Sequence, residues 1–515
     1  MANKVGIMLA RCALLMLLAS GSHLAAGQAP SPLAARFPIE EQRRFELQRR
    51  APESEAVLRD FIRQIQAGTP DYDRMAPRYA AWIRADAPVV ERAKAVGTIQ
   101  SISFRAVAPA ALGENYLRQA CPQGCPDPKP VSAADVYHVT GSGGTSAWYV
   151  ALAPDGRIEF ILARAMEVPP AAPLPLDAAI ASVRATLEKQ VAADQFSGAL
   201  IVSRNGREIF AFAGGIADRE KRIPVAADTR FRLGSMNKMF TAVAIMQLVE
   251  AGKVDLDAPF GRYLADYPNQ DLARSVTVHH LLTHTGGTGD IFGPQFEARR
   301  LTLRTHQDYV DLYGTRAADG QPGAAMSYSN YGFILLGRII ERVSGLSYYD
   351  YVDRHIFKPA GMTWSGSVPE DQAVAGRAVA YSRITGALAS AADSLPYRGT
   401  SAGGGYSTAG DMIRFGQALL SNELLSPLAF RYLTGGKVRM GEGFYGYGFF
   451  DFEDATGHWT GHGGGAPGMN GDLRIYPETG TVIVALSNLD PPAAQNAMTA
   501  AANQIVPAMK GGAAN

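Results

Sequence analysis

The polar-to-apolar switch at residues 231–248 constrains the fold of this chain more than any other feature. Apolar side chains occupy most positions from residue 239 to residue 248, which predicts a helix buried on nearly all sides. Ser235 and Lys238 stand at the start of that helix, three residues apart, so the lysine amine can reach the serine hydroxyl on the same face. The sequence therefore predicts a serine and a lysine within reach of each other at the start of a largely buried helix.

The Ser235–Lys238 pair permits two interpretations. Serine is a favoured helix N-cap, and in that case the lysine merely occupies the following turn. Alternatively, Lys238 is the base that takes a proton from a nucleophilic Ser235. A lysine of ordinary pKa, ~10.4, is protonated at neutral pH, so this role requires burial or a neighbouring positive charge to lower the pKa. The apolar helix provides burial, and the partial positive charge of its N-terminus favours a developing oxyanion beside it.

A second switch follows residues 326–331, where Met-Ser-Tyr-Ser-Asn-Tyr leads into another apolar helix. Tyr328 is a candidate proton relay, because a phenol near the lysine can take the proton of the nucleophile and deliver it to the leaving group. The amide of Asn330 can orient a substrate carbonyl or the lysine. Aromatic packing is the alternative for Tyr328, and this segment taken alone favours that alternative.

A glycine-rich segment, Gly-His-Gly-Gly-Gly at residues 461–465, precedes the last predicted hairpin. Gly464 and Gly465 have no side chain, so a ligand can lie against the backbone there. His462 can donate a hydrogen bond to a substrate carboxylate or carbonyl. The alternative is a loop histidine that is hydrogen-bonded within the protein.

Three segments of the chain resemble, in order and spacing, the Ser-x-x-Lys, Tyr-x-Asn and His-x-Gly elements of the class C β-lactamase and D,D-peptidase superfamily. The segments are Ser-Met-Asn-Lys at 235–238, Tyr-Ser-Asn at 328–330 and His-Gly-Gly at 462–464. Two further stretches, residues 281–287 and 403–411, also resemble that superfamily, so the resemblance covers roughly residues 180 to 510.

The resemblance implies an α+β fold: an antiparallel sheet flanked by helices, with a helical subdomain that closes the cleft. It also implies an acyl-enzyme on Ser235, with Lys238 and Tyr328 handling protons and Asn330 and His462 binding substrate. The oxyanion hole would be formed by the backbone N–H groups of Ser235 and Gly465. No metal and no cofactor is implied.

The third segment departs from class C β-lactamases, which have Lys-Thr-Gly where this chain has His-Gly-Gly. The histidine form is similar to D-alanyl-D-alanine carboxypeptidases, D-amino-acid peptidases and β-lactamase-like esterases. The expected partner is therefore a small ester, amide or D-amino-acid peptide, with β-lactamase activity as an alternative.

Three other classes of function are alternatives to this expectation. An α/β-hydrolase would use Ser407 as its nucleophile, but its His-Gly-Gly-Gly element should precede the nucleophile and here follows it. A metal hydrolase could use His280 with His284 or His458 with His462, but neither pair has the accompanying glutamate. A non-catalytic protein that binds cell-wall peptides or a partner is the third class, and the filled catalytic positions count against it.

A separate α+β domain is predicted at residues 36–166, where helical apolar spacing precedes alternating, strand-like segments. Its pattern is similar to that of the small cone-shaped domains of the nuclear-transport-factor and cystatin type. Such a domain can bind a ligand or form a homodimer. A proline-rich linker at residues 167–176 separates it from the hydrolase domain at residues 177–510.

The first 27 residues have the basic start, short apolar run and small-residue end of a secretory signal. The expected location is periplasmic or secreted, with an uncleaved anchor as the alternative and no later membrane span. In an exported chain, Cys121 and Cys125 are expected to form a disulfide rather than a metal or redox site. The 49 basic and 48 acidic side chains nearly cancel, so no nucleic-acid partner is expected.

Overall fold

The computed structural model describes residues 51–109 except 52, 86 and 87, residues 133–165 except 154, and residues 173–511 except 442. The predicted signal at 1–27, the predicted disulfide of Cys121 and Cys125, and most of the predicted linker lie outside these residues. Within the described ranges, no helix combines the length and the apolar character needed to cross a bilayer.

The N-terminal part of the described chain consists of three helices followed by a four-stranded antiparallel sheet of order β1-β2-β3-β4. The elements are α1 (Ser54–Ala67), α2 (Pro77–Arg84), α3 (Pro88–Ala95), β1 (Ile99–Pro109), β2 (Ala133–Gly141), β3 (Gly144–Leu152) and β4 (Ile158–Ala165). Phe61 of α1 shares one buried cluster with Trp148 and Phe160 of the sheet. The predicted order of helices first and strands later is confirmed, although α2, α3 and β2 were not predicted. The likeness to the two named cone-shaped folds stays a prediction.

The larger part of the chain is built on an eight-stranded antiparallel sheet of order β13-β14-β15-β16-β17-β18-β5-β6. From residue 198 onward the strands are β5 (Gly198–Arg204), β6 (Arg207–Gly214), β7 (Ile216–Asp218), β8 (Ile223–Pro224), β9 (Phe231–Arg232), β10 (Tyr381–Ser382), β11 (Ala389–Ser390), β12 (Tyr406–Ser407), β13 (Val438–Met440), β14 (Gly443–Tyr445), β15 (Phe450–Asp454), β16 (Gly457–Ala466), β17 (Met469–Tyr476) and β18 (Thr481–Ser487). Strand β18 pairs with β5, so strands from both ends of this region share one sheet.

Helices cover both faces of this sheet. The α-helices described from residue 173 onward are α4 (Leu176–Ala192), α5 (Asn237–Glu250), α6 (Gln270–Ser275), α7 (Val278–Leu282), α8 (Pro294–Arg299), α9 (His306–Tyr313), α10 (Asn330–Ser344), α11 (Tyr348–Val352), α12 (Ala409–Leu420), α13 (Pro427–Thr434) and α14 (Ala493–Gly511). Helices α4 and α14 pack on one face, α12 packs against β18 and β5, and α5 packs against β16. The α+β prediction of an antiparallel sheet flanked by helices is confirmed.

The antiparallel strand order also rules out the α/β-hydrolase alternative, whose sheet is mostly parallel. Ser407, the nucleophile of that alternative, is fully buried in the short strand β12. Its hydroxyl lies 2.7 Å from the hydroxyl of Ser365.

Strand β16 approaches the short 3₁₀ turn Gly234–Met236 so closely that it needs a glycine at the point of contact. A Cβ placed on Gly464 would lie 2.0 Å from the backbone oxygen of Leu233. One on the neighbouring Gly463 would meet no atom closer than 3.6 Å. The absence of a side chain at Gly464 therefore allows the strand backbone to lie directly on the turn.

We expect Gly464→Ala to destabilise the fold by about 1–3 kcal/mol, because the methyl group forces the strand away from the turn. Gly463→Ala is the matched control and should leave the melting temperature nearly unchanged. Differential scanning calorimetry on both variants measures the difference. Equal melting temperatures would contradict the close approach described above.

Candidate active site

Ser235 lies in the middle of the 3₁₀ turn, one residue before the N-cap of α5. That N-cap is Met236, and no side chain caps the helix, so the capping interpretation of Ser235 is wrong. The half-buried Ser235 hydroxyl is instead 3.4 Å from the Lys238 Nζ atom and hydrogen-bonded to the Tyr328 side chain. The structure thus brings together the predicted serine, lysine and tyrosine.

Lys238 is fully buried, as the apolar run of α5 predicted. Its amine donates to the Asn330 Oδ1 atom at 2.7 Å and to the Ala402 backbone oxygen at 2.5 Å. Burial lowers the pKa of Lys238 to about 7, and the negative charge of Asp290 opposes that shift. A substantial fraction of the amine is therefore neutral at physiological pH.

The two acceptors decide where the free electron pair of a neutral Lys238 points. A neutral amine has two N–H groups, and Asn330 and Ala402 accept one each. The remaining tetrahedral direction is left for the lone pair, and the Ser235 hydroxyl is the third polar group at the nitrogen. Lys238 can therefore accept a proton from Ser235.

Tyr328 precedes α10, and its ring is partly open to solvent, with a relative exposure of 37%. The Lys238 Nζ atom lies 4.7 Å from the centre of this ring. Desolvation of the phenol raises its pKa well above the ordinary value, so the hydroxyl is protonated at neutral pH. Tyr328 can thus donate a proton while it remains bonded to Ser235.

Asn330 is the first residue of α10, and its side chain bridges Lys238 and Asp290. The Asn330 backbone N–H and side-chain Nδ2 donate to the Asp290 carboxylate at 3.0 and 3.2 Å. Sequence reasoning missed Asp290, although it stands three residues after the stretch 281–287 that resembles the superfamily. Its proximity to Asn330 depends on a contact across 40 residues of chain.

His462 lies inside strand β16 and is buried, rather than in a loop as its alternative interpretation had it. Its Nε2 atom is 3.1 Å from the Tyr445 hydroxyl, which is 3.2 Å from the Nε2 atom of His284. The Nδ1 atom of His284 accepts the backbone N–H of Ser329 at 3.1 Å. Two histidines and a tyrosine thus form one hydrogen-bonded chain behind Tyr328.

The hydrogen-bond pattern fixes the direction of this chain. Because His284 accepts at Nδ1, its Nε2–H donates to Tyr445, and the Tyr445 hydroxyl donates to His462. The His462 Nδ1–H then donates to the Gly463 oxygen. Burial lowers the pKa of His462 to about 3 and that of His284 well below its ordinary value, so both rings are neutral.

The predicted glycines lie beside the serine turn. A Cβ placed on Gly234, whose φ is +56°, would lie 3.1 Å from the Gly465 backbone nitrogen. The backbones that carry the Ser235 and Gly465 N–H groups therefore run side by side. The Gly464 oxygen accepts from the Asn470 side chain at 2.9 Å, which holds the strand in place.

The histidines considered as metal ligands have other partners. His280 closes the capping box of α7, His284 belongs to the hydrogen-bonded chain, and the His458 Nε2 atom is 2.6 Å from the Asp451 carboxylate. Among the residues that the structure describes, no three His, Cys, Asp or Glu side chains come together as a metal site requires. The sequence did not indicate Tyr445, because the residues next to it in the chain do not show that it contacts His284 and His462.

A sequence model of the Beta-lactamase family matches residues 183–506. The chain is 33% identical to a putative penicillin-binding protein of Bacillus subtilis over 300 residues, 57% of this chain and 71% of that protein. It is 34% identical to the esterase EstB of Burkholderia gladioli over 209 residues, 38% of this chain and 53% of that protein. It also resembles the crystal structure of a D-stereospecific amidohydrolase from a Streptomyces species, with 26% identity and a TM-score of 0.54, over 64% of this chain and 98% of that one. The family match over most of the chain, together with the shared fold, shows that the protein belongs to the β-lactamase family of serine hydrolases.

Proposed function

We propose that the protein hydrolyses a small ester or amide, including amides of D-amino acids, through an acyl-enzyme on Ser235. The observation that carries this proposal is the buried Lys238 amine, whose two N–H groups are bonded to Asn330 and Ala402 beside the Ser235 hydroxyl. A lysine with a pKa of about 7 is a competent general base at neutral pH.

In the first step, the Ser235 oxygen attacks the substrate carbonyl and its proton passes to the Lys238 nitrogen. A bond forms between the serine oxygen and the carbonyl carbon, and the carbonyl oxygen becomes an oxyanion. The backbone N–H groups of Ser235 and Gly465 are the proposed donors to that oxyanion. The approach of Gly234 to the Gly465 nitrogen supports this assignment.

In the second step, the bond to the leaving group breaks and the leaving group needs a proton. Tyr328 is the proposed donor, because its hydroxyl is bonded to Ser235 and stays protonated at neutral pH. The proton on Lys238 then restores the phenol. Water then attacks the acyl-enzyme carbonyl and loses a proton to Lys238 and Tyr328. The acid is released and Ser235 regains its hydrogen.

The third motif favours a neutral ester or amide over a substrate that must be held by a terminal carboxylate. His462 is neutral, and both of its ring nitrogens are hydrogen-bonded within the protein. It therefore supplies neither a positive charge nor a free donor to a carboxylate. The related esterase and D-stereospecific amidohydrolase support the same substrate class by their names.

Export to the periplasm or medium and homodimerisation through residues 36–166 complete the proposal. Both rest on the sequence: the pattern of a secretory signal at residues 1–27 and the helix-then-strand pattern predicted for the first domain. Light scattering on the mature chain measures its mass and tests the dimer.

We expect Ser235→Ala to abolish labelling by a fluorophosphonate and to lower kcat/KM for a p-nitrophenyl ester by about 10³-fold or more. The reason is that the hydroxyl is the proposed nucleophile. Intact-mass spectrometry detects the adduct. Ser407→Ala is the control, since Ser407 is a serine buried in β12, and it should retain the adduct. An adduct that persists in Ser235→Ala would refute the assignment.

We expect kcat/KM for the same ester to fall below pH 7 with an apparent pKa of about 7, because the base must be neutral and Lys238 titrates there. Activity should therefore rise with pH through that value and then level. Lys238→Arg should abolish turnover, since arginine stays protonated. The exposed Lys253→Arg is the matched control and should keep the wild-type profile. Turnover by Lys238→Arg would exclude the lysine as base.

A further inference from the structure

We propose that Asp290 is a positioning residue that fixes the direction in which Asn330 presents its amide to Lys238. This inference rests on the proposed function, because it concerns the group proposed as base. Asp290 touches neither Ser235 nor Lys238 in the hydrogen bonds of the structure and acts through Asn330.

The direction follows from donor and acceptor chemistry. A carboxylate can only accept, and an amide nitrogen can only donate. Because the Asn330 Nδ2 atom donates to Asp290 at 3.2 Å, the Oδ1 atom must face Lys238, which it meets at 2.7 Å. A flipped Asn330 would point two N–H groups at the lysine. Its amine would then lose one of the two acceptors that leave the lone pair for Ser235.

Further hydrogen bonds hold the Asp290 carboxylate and its loop in place. Its Oδ1 atom also accepts the backbone N–H of Ile291 at 2.8 Å. The Arg316 guanidinium donates to the Asp290 backbone oxygen at 2.7 Å. The preceding residue, Gly289, accepts the Ser329 hydroxyl through its backbone oxygen, and this ties the loop to the start of α10. Asp290 and Asn330 therefore keep their relative positions.

Asp290 also contributes an electrostatic effect of known sign. Among the residues that the structure describes, four titratable side chains face Lys238 from the elements around it: Asp290, Tyr328, His284 and His462. The tyrosine is protonated and both histidines are neutral at pH 7, so Asp290 supplies the negative charge. That charge raises the pKa of Lys238 against the effect of burial. Its removal should lower the pKa further.

A reciprocal exchange tests the proposal. In Asp290→Asn, the new amide can point its nitrogen at the Asn330 nitrogen, which is a donor facing a donor. In Asn330→Asp, two carboxylates face each other. In the double variant D290N/N330D, the new amide donates to the new carboxylate, which again offers an oxygen to Lys238. A donor again meets an acceptor between positions 290 and 330, now with residue 290 donating, and an oxygen of residue 330 again faces Lys238.

The measurement is the pH dependence of the second-order rate of fluorophosphonate labelling on the full chain, with kcat and KM for a p-nitrophenyl ester alongside. We expect Asp290→Asn to lower the labelling rate and kcat by about 10–100-fold with little change in KM, as for a displaced catalytic group. The pH below which the labelling rate of Asp290→Asn falls should be lower than in the wild type, because the pKa of Lys238 is lower without the carboxylate charge. The double variant should recover at least about tenfold over each single variant, with its acid limb above that of the wild type.

Asp271→Asn removes the same charge from a side chain that is 94% exposed and should behave as the wild type. The proposal would be overturned if Asp290→Asn labelled at the wild-type rate and with the wild-type pH dependence. It would also be overturned if the double variant labelled no faster than the slower of the two single variants. Circular dichroism identifies a variant that fails to fold, and the recovery in the double variant then decides. Failure of the wild type to label at Ser235 would refute the proposed function instead, so the two failures are distinguishable.

Discussion

The burial of one lysine amine is the constraint on which the rest of the site depends. Lys238 lies at the start of a helix that is buried on nearly every side, so its amine must find partners inside the protein. Asn330 and Ala402 provide them from segments 92 and 164 residues away in the chain. These hydrogen bonds connect α10 and the segment before β12 to α5. The same burial lowers the pKa of the amine.

The charge states of the side chains around the Lys238 amine also affect its pKa. Each nitrogen of His284 and His462 has a partner in a chain that runs through Tyr445 in one direction. Because both rings remain neutral, neither histidine places a positive charge beside Lys238. A lysine flanked by charged imidazoles would have a still lower pKa. The negative charge of the Asp290 carboxylate acts in the opposite sense and raises the pKa of Lys238.

Several features could be predicted from the sequence because they are local. The apolar run after Ser235 predicted a buried helix, and the resemblance of three short segments implied an antiparallel sheet flanked by helices. The capping interpretation of Ser235 failed because a 3₁₀ turn shifts the N-cap by one residue. Asp290 and Tyr445 were missed because their importance depends on neighbours that are distant in the chain. For His284 the sequence offered a possible metal ligand within the stretch 281–287 and predicted no contact with Tyr445.

The sequence by itself determined the side chains available for chemistry and their order, and a serine three residues before a lysine can lie on the same side of a helical segment. Only the tertiary structure decided the protonation of Lys238, the direction of the Asn330 amide and the tautomers of the two histidines. Those properties arise from desolvation and from hydrogen bonds between groups that are far apart in the chain, and neither is present before the core has closed.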